Sequence, residues 1–146
     1  MKKSSIILTF SFVVLCMIAV VALGIFAFPI ARAYVEFRNI SPLLITVIPI
    51  FYYICAVPAL IALVCLGKLL HNIKKAHIFE NENSLLMGIV SICCVVVAIA
   101  TAIATYWYLP FIFVTAAMLF IFLIVRIIRG CFIAAIGLRE ENDLTI

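Results

Sequence analysis

Apolar residues along this chain run unbroken for stretches that no soluble fold uses. Ile6 to Phe28 is 23 residues without a charge, ended by Pro29 and then Arg32. Leu43 to Leu66 and Leu85 to Tyr108 follow, and a fourth run starts at Phe111 and meets its first charge at Arg126. At a rise of about 1.5 Å per residue, about 20 residues cross a hydrocarbon core of about 30 Å. Three runs are long enough. The fourth has 15 residues before Arg126, and an arginine stem that reaches for the headgroups extends it to about Gly130. The pattern predicts an all-α, integral membrane four-helix bundle with spans at 6–28, 43–66, 85–108 and 111–130, forming one transmembrane domain over residues 1–146.

Composition narrows the classes that remain. Of 146 residues, 69% are hydrophobic and 11% charged, with a mean hydropathy of +1.43. Ordinary soluble proteins carry about 25% charged residues, so a soluble globular enzyme is excluded, as is a disordered chain. The net charge of +4 is spread over loops rather than gathered into a basic face, which argues against direct nucleic acid binding. Lys2, Lys3 and Ala31-Arg32-Ala33 resemble the flanks of a cleaved signal peptide, but such peptides have an apolar core of about 7 to 15 residues, shorter than the first run.

Lys and Arg collect on the cytoplasmic side of membrane proteins. With the amino terminus inside, Lys2, Lys3, Lys68, Lys74, Lys75, Arg126, Arg129 and Arg139 all fall on the cytoplasmic side, and Arg32 and Arg38 fall outside. Both the N-terminus and the C-terminus are therefore expected in the cytoplasm. Tyr106-Trp107-Tyr108-Leu109-Pro110 reads as a tight aromatic turn at the outer interface, making the third and fourth spans a hairpin. After Leu66, the spacing of Leu69, Leu70 and Ile73 continues the second helix, with Lys68, Lys74 and Lys75 around it as a basic surface for anionic lipid. Asn81 is placed to cap the third helix and Glu82 to complement its positive end.

No Asp, Glu, Lys or His falls within the four apolar cores, which disfavours proton-coupled transport. Arg126 and Arg129, at i and i+3, carry two readings: they mark the inner boundary by snorkelling, or they form an inward-facing anionic site. The six cysteines contain no C-x-x-C pair, so they read as small hydrophobes rather than a redox centre. Cys65 and Cys131, near the inner face, are the positions open to acylation. His71 and His77 have a spacing that matches no helical face, and no metal site or cofactor is expected. Small residues of the third span, such as Ala98 with Ala102 and Ala100 with Ala104, give it the packing face at the centre of the bundle. Pro49 and Pro58 each free a backbone carbonyl that Tyr52, Tyr53, Thr46 or Thr101 is placed to satisfy. A ligand cavity beside these prolines is the functional alternative to plain packing.

The carboxyl end changes character. Arg139-Glu140-Glu141-Asn142-Asp143-Leu144-Thr145-Ile146 sets three acids past an expected helix end near Leu138, because a helix C-terminus disfavours negative charge. The result is a short acidic cytoplasmic tail, with Leu144 and Ile146 as an apolar pair suited to docking on Lys68, Lys74 and Lys75 or on a partner. This ending, together with Ile73-Lys74-Lys75-Ala76-His77-Ile78-Phe79-Glu80-Asn81-Glu82-Asn83, resembles a family of small four-helix membrane proteins found mainly in Gram-positive bacteria, the DUF2975-type group. That resemblance covers essentially the whole chain. It implies a neighbouring gene for a very small Cro/C1-type helix-turn-helix regulator, and hence communication with a cytoplasmic transcription factor. The family's usual loop has a small polar residue after the phenylalanine, where this chain has Glu80. No catalytic residue comes with the resemblance.

The expected function is therefore that of a non-enzymatic protein of the cell membrane, in contact with the lipid bilayer, that senses or sequesters such a regulator. Its expected contact residues are Lys68, Lys74, Lys75, Arg126, Arg129, Glu140, Glu141, Asn142, Asp143, Leu144 and Ile146. The alternative is a small permease, or an immunity protein against membrane-active peptides, acting through Ile30 to Ser41 or a cavity at Pro49 and Pro58. A membrane enzyme lacks a nucleophile with its base or a metal set. Nothing in the spacing counts subunits.

Overall fold

A computed structural model describes residues 3–74 and 81–144. The chain forms α1 (Lys3–Ile25), α2 (Ala27–Arg38), α3 (Leu44–Lys74), α4 (Asn81–Ala104) and α5 (Phe111–Leu144), with no strand among the described residues. Four helices are long and apolar enough to cross a membrane: Ile7–Ile25, Leu44–Lys74, Glu82–Ala104 and Phe111–Leu138. Their outward faces carry large exposed side chains such as Leu8, Phe12, Ile92, Phe113 and Phe120, a surface that only lipid or other apolar partners can cover at low cost. The all-α, four-span membrane architecture read from the apolar runs is the one observed.

Several boundaries differ from those expected. The first apolar run does not stay straight to Phe28: α1 stops at Ile25 and α2 restarts at Ala27. Pro29 has no N–H to give the carbonyl four residues back, so the ladder breaks there. Beyond the break, α2 runs through Arg38 and stops at Asn39, which takes φ 53 and ψ 43 while its N–H and that of Ile40 bond back to Glu36 and Val35. Asparagine is among the few residues that tolerate this left-handed cap. The extension of the second span past Leu66 is real, since α3 continues to Lys74.

The acidic end also departs from expectation. Rather than stopping near Leu138, α5 is helical through Leu144. Leu, Arg and Glu are strong helix formers, and the dipole penalty that argued for an earlier stop is only about 0.3–1 kcal/mol and is confined to the last turn. Thr145 and Ile146 lie outside the described residues, as does Lys75.

The helices pack as a row. α4 touches both α3 and α5, α3 touches α1 and α2, and among the described residues α3 and α5 do not approach backbone to backbone. α4, flanked by α3 and α5, is the most buried of the spans: Ala98, Ala100, Thr101 and Ala104 are buried, Ala104 completely. Ala102, expected on the same face as Ala98, is exposed, so Ala100 and Ala104 are the pair with both members buried. Ser91 is buried on this helix with a hydroxyl that has no hydrogen-bond partner. A buried unsatisfied hydroxyl costs about 1–3 kcal/mol, so Ser91→Ala is expected to raise stability by roughly 1 kcal/mol in a detergent unfolding titration; a loss would show that the hydroxyl has a partner.

Candidate functional site

Two features stand out against this scaffold, one at each end. The end where α3 stops and α4 begins is here the basal end; the end carrying the connection from α4 to α5 is the turn end.

At the basal end three helices bring polar side chains together. Asn83, in the first turn of α4, is completely buried, and it accepts a 2.9 Å hydrogen bond from the Asn72 amide on α3. The same amide lies 3.5 Å from the Glu82 carboxylate. One step on, the Arg129 guanidinium of α5 lies against α4 and donates a long 3.4 Å bond to the Ser84 hydroxyl. It fits because Gly88 has no side chain: a Cβ there would stand 3.1 Å from the guanidinium carbon. Above this cluster sits an apolar plug of Cys65, Leu86, Val90 and Cys94, with Phe122 and Val125 of α5 packed on it. Polar groups thus fix the three helices at this end, and apolar packing takes over beside them.

The residues expected to bind a partner are distributed unevenly around this end. Lys68 and Lys74 are exposed on α3. Arg126 is exposed with its guanidinium 5.9 Å from the Phe122 ring centre, in the range of a cation–π contact, whereas Arg129 is half-buried and turned to α4. The two arginines therefore part company. Glu140, Glu141, Asn142, Asp143 and Leu144 continue α5, while Lys75 and Ile146 fall outside the described residues. Asn72, Asn83, Ser84 and Gly88 were not anticipated as a group. The available signal was the run of polar residues that ends at Asn83, where only Asn81 and Glu82 were given a role.

At the turn end, aromatic rings stack across helices. Phe51 of α3 lies 5.7 Å from Trp107 and 6.4 Å from Phe111, ring centre to ring centre. Tyr34 of α2 and Tyr108 share a hydroxyl-to-hydroxyl hydrogen bond, and this bond to Tyr34 holds the Tyr108 phenol above its ordinary range. Tyr52 and Tyr53 correct an expectation. They do not serve the carbonyls freed by the prolines of α3, but donate to the carbonyls of Val20 and Gly24 on α1, at 2.6 and 2.7 Å. Gly24 sits in the last turn of α1, where carbonyls run out of helical donors, and in an apolar setting Tyr53 is its natural partner. Thr101, likewise, bonds within its own helix to Val97 and across to Thr115 of α5, both at 2.9 Å.

Both prolines line cavities. One, of about 590 Å³, lies between α3 and α5 with α4 as its floor and Pro58 in its wall. A second, of about 370 Å³, lies under α2 beside Pro49. Among the described residues no cluster of three or more metal-ligating side chains occurs.

No curated protein and no solved structure matches the chain. A family model does, described as "Protein of unknown function (DUF2975)" and matching residues 6–146. A match over almost the entire length, on a chain with four membrane-crossing helices, places this protein in the DUF2975 family.

Proposed function

We propose that this is a non-enzymatic, multi-pass protein of the bacterial cell membrane, with both termini in the cytoplasm, that senses or sequesters a small helix-turn-helix transcription regulator. The observation that supports this reading is the reach of α5. Its 34 residues rise about 51 Å, against a hydrocarbon core of about 30 Å. The surplus stands at the basal end as a helix carrying Glu140, Glu141 and Asp143, in line with a basal surface that also offers Lys68 and Lys74. A stiff helix with mixed charge is a better handle for a protein partner than a flexible peptide, because less order is lost on binding. The regulator itself comes from the resemblance described above, and no direct contact with nucleic acid is proposed.

Crosslinked capture from native membranes tests this, comparing the full chain with one ending at Leu138. The expected result is a helix-turn-helix protein recovered with the full chain and lost with the shortened one. Equal recovery from both, or none from either, contradicts it. The second reading, a small permease or an immunity protein, is favoured by the two cavities beside Pro49 and Pro58. It expects substitutions between Ile30 and Ser41 to abolish the phenotype while loss of residues 139–146 leaves it intact.

A further inference from the structure

The 590 Å³ cavity is a slot rather than a chamber. It is walled by α3 from Ile48 to Leu66, by α4 from Thr101 to Val90 and by α5 from Phe111 to Ile121. At about 1.5 Å per residue these walls run roughly 27 Å on α3 and roughly 16 Å on α4. An extended hydrocarbon chain, with carbon atoms in contact at about 4 Å and a cross-section of roughly 20 Å², fits a cavity of about 590 Å³ drawn out over those lengths.

The slot asks for no polar partner. Its two hydroxyls, Tyr52 and Thr101, are already hydrogen-bonded to Val20 and to Val97 and Thr115. The apolar plug of Cys65, Leu86, Val90 and Cys94 lies at its basal side, with Val90 and Cys94 also lining the slot. At the turn end the slot shares Ile48, Tyr52 and Phe111 with the 370 Å³ cavity, which continues to the paired hydroxyls of Tyr34 and Tyr108. Arg38 stands one helical turn beyond Tyr34 on α2, at i+4, and so on the face of that helix that lines the smaller cavity. Arg32 is paired with Glu36 at 3.3 Å, so Arg38 is the uncompensated cation among the described residues of that end.

We propose that this slot holds the tail of an anionic phospholipid, entering sideways from the bilayer, with its phosphate beside Arg38. Because the tail leaves hydrocarbon for hydrocarbon, hydrophobic transfer contributes nothing to the choice. Retention depends on close contact along the slot, and selectivity depends on the phosphate charge at Arg38.

Native mass spectrometry of the full chain tests this after reconstitution in vesicles of phosphatidylglycerol and phosphatidylcholine with matched chains. The expected result is one retained phosphatidylglycerol per chain. Ala59→Phe on α3, or Val114→Phe on α5, narrows the slot from opposite walls and should cut retention roughly fivefold or more. Arg38→Gln should leave a retained lipid but erase the preference for phosphatidylglycerol. Absence of retained lipid on the wild-type chain, equal retention of the two lipids by it, or undiminished retention by folded slot-filling variants overturns the proposal.

Discussion

Replacing Asn83 by leucine is expected to cost about 2–3 kcal/mol of stability, read by denaturant titration in micelles. The size follows from three facts. Asn83 is fully buried, its side-chain oxygen accepts the 2.9 Å bond from Asn72, and leucine has nearly the same bulk but no acceptor. The loss is then the bond together with the desolvation of a stranded Asn72 amide, for which the Glu82 carboxylate at 3.5 Å is a poor replacement. Removing both partners differs from removing one, since an apolar pair of similar shape leaves no stranded donor. Asn72→Leu with Asn83→Leu should therefore cost less than the sum of the singles, by about 0.5 kcal/mol or more. Strict additivity would show that the two asparagines do not act together.

Gly88→Leu is expected to cost a similar amount, about 2–3 kcal/mol, by a different route. Its side chain would occupy the space of the Arg129 guanidinium, 3.1 Å from the Cβ position, ending the bond to Ser84 and levering α5 from α4. Gly88→Ala is a milder change. The end of an arginine can shift by a few tenths of an ångström, and alanine recovers up to about 1 kcal/mol of helix propensity over glycine, so the two effects roughly cancel. The cause is separable with Arg129→Ala: in that background the cost of Gly88→Leu should fall by more than about 1 kcal/mol. An unchanged cost would assign the glycine to backbone packing alone.

How much of this was legible beforehand differs by element. The spans were readable because each is a long run of apolar residues, and lipid imposes a minimum length that few other patterns meet. The close packing of α4 between two helices was readable from its alanines, since small residues are what lets helices approach without a hydrophobic drive between them. The break at Phe26 was masked by continued hydrophobicity around it, with Gly24 and Pro29 as its local signs. The role of Asn83 was not legible, because sequence alone does not say that a neighbouring helix covers an asparagine at a helix start. The acidic end was misjudged because a weak dipole effect was weighed above stronger helix propensity. Tyr52 and Tyr53 were recognised as donors to backbone carbonyls, but the carbonyls belong to α1, which only the packing of α1 on α3 reveals.

The orientation of α5 is the point on which the functional reading turns, and thiol labelling addresses it directly. In a chain carrying Cys131→Ser and Asp143→Cys, the new thiol lies on the α5 extension. The remaining cysteines, Cys16, Cys55, Cys65, Cys93 and Cys94, are half-buried or buried within the spans. A membrane-impermeant maleimide should leave intact cells unlabelled and label inverted membrane vesicles. Labelling in intact cells would put the extension outside, away from any cytoplasmic regulator, and would contradict the account.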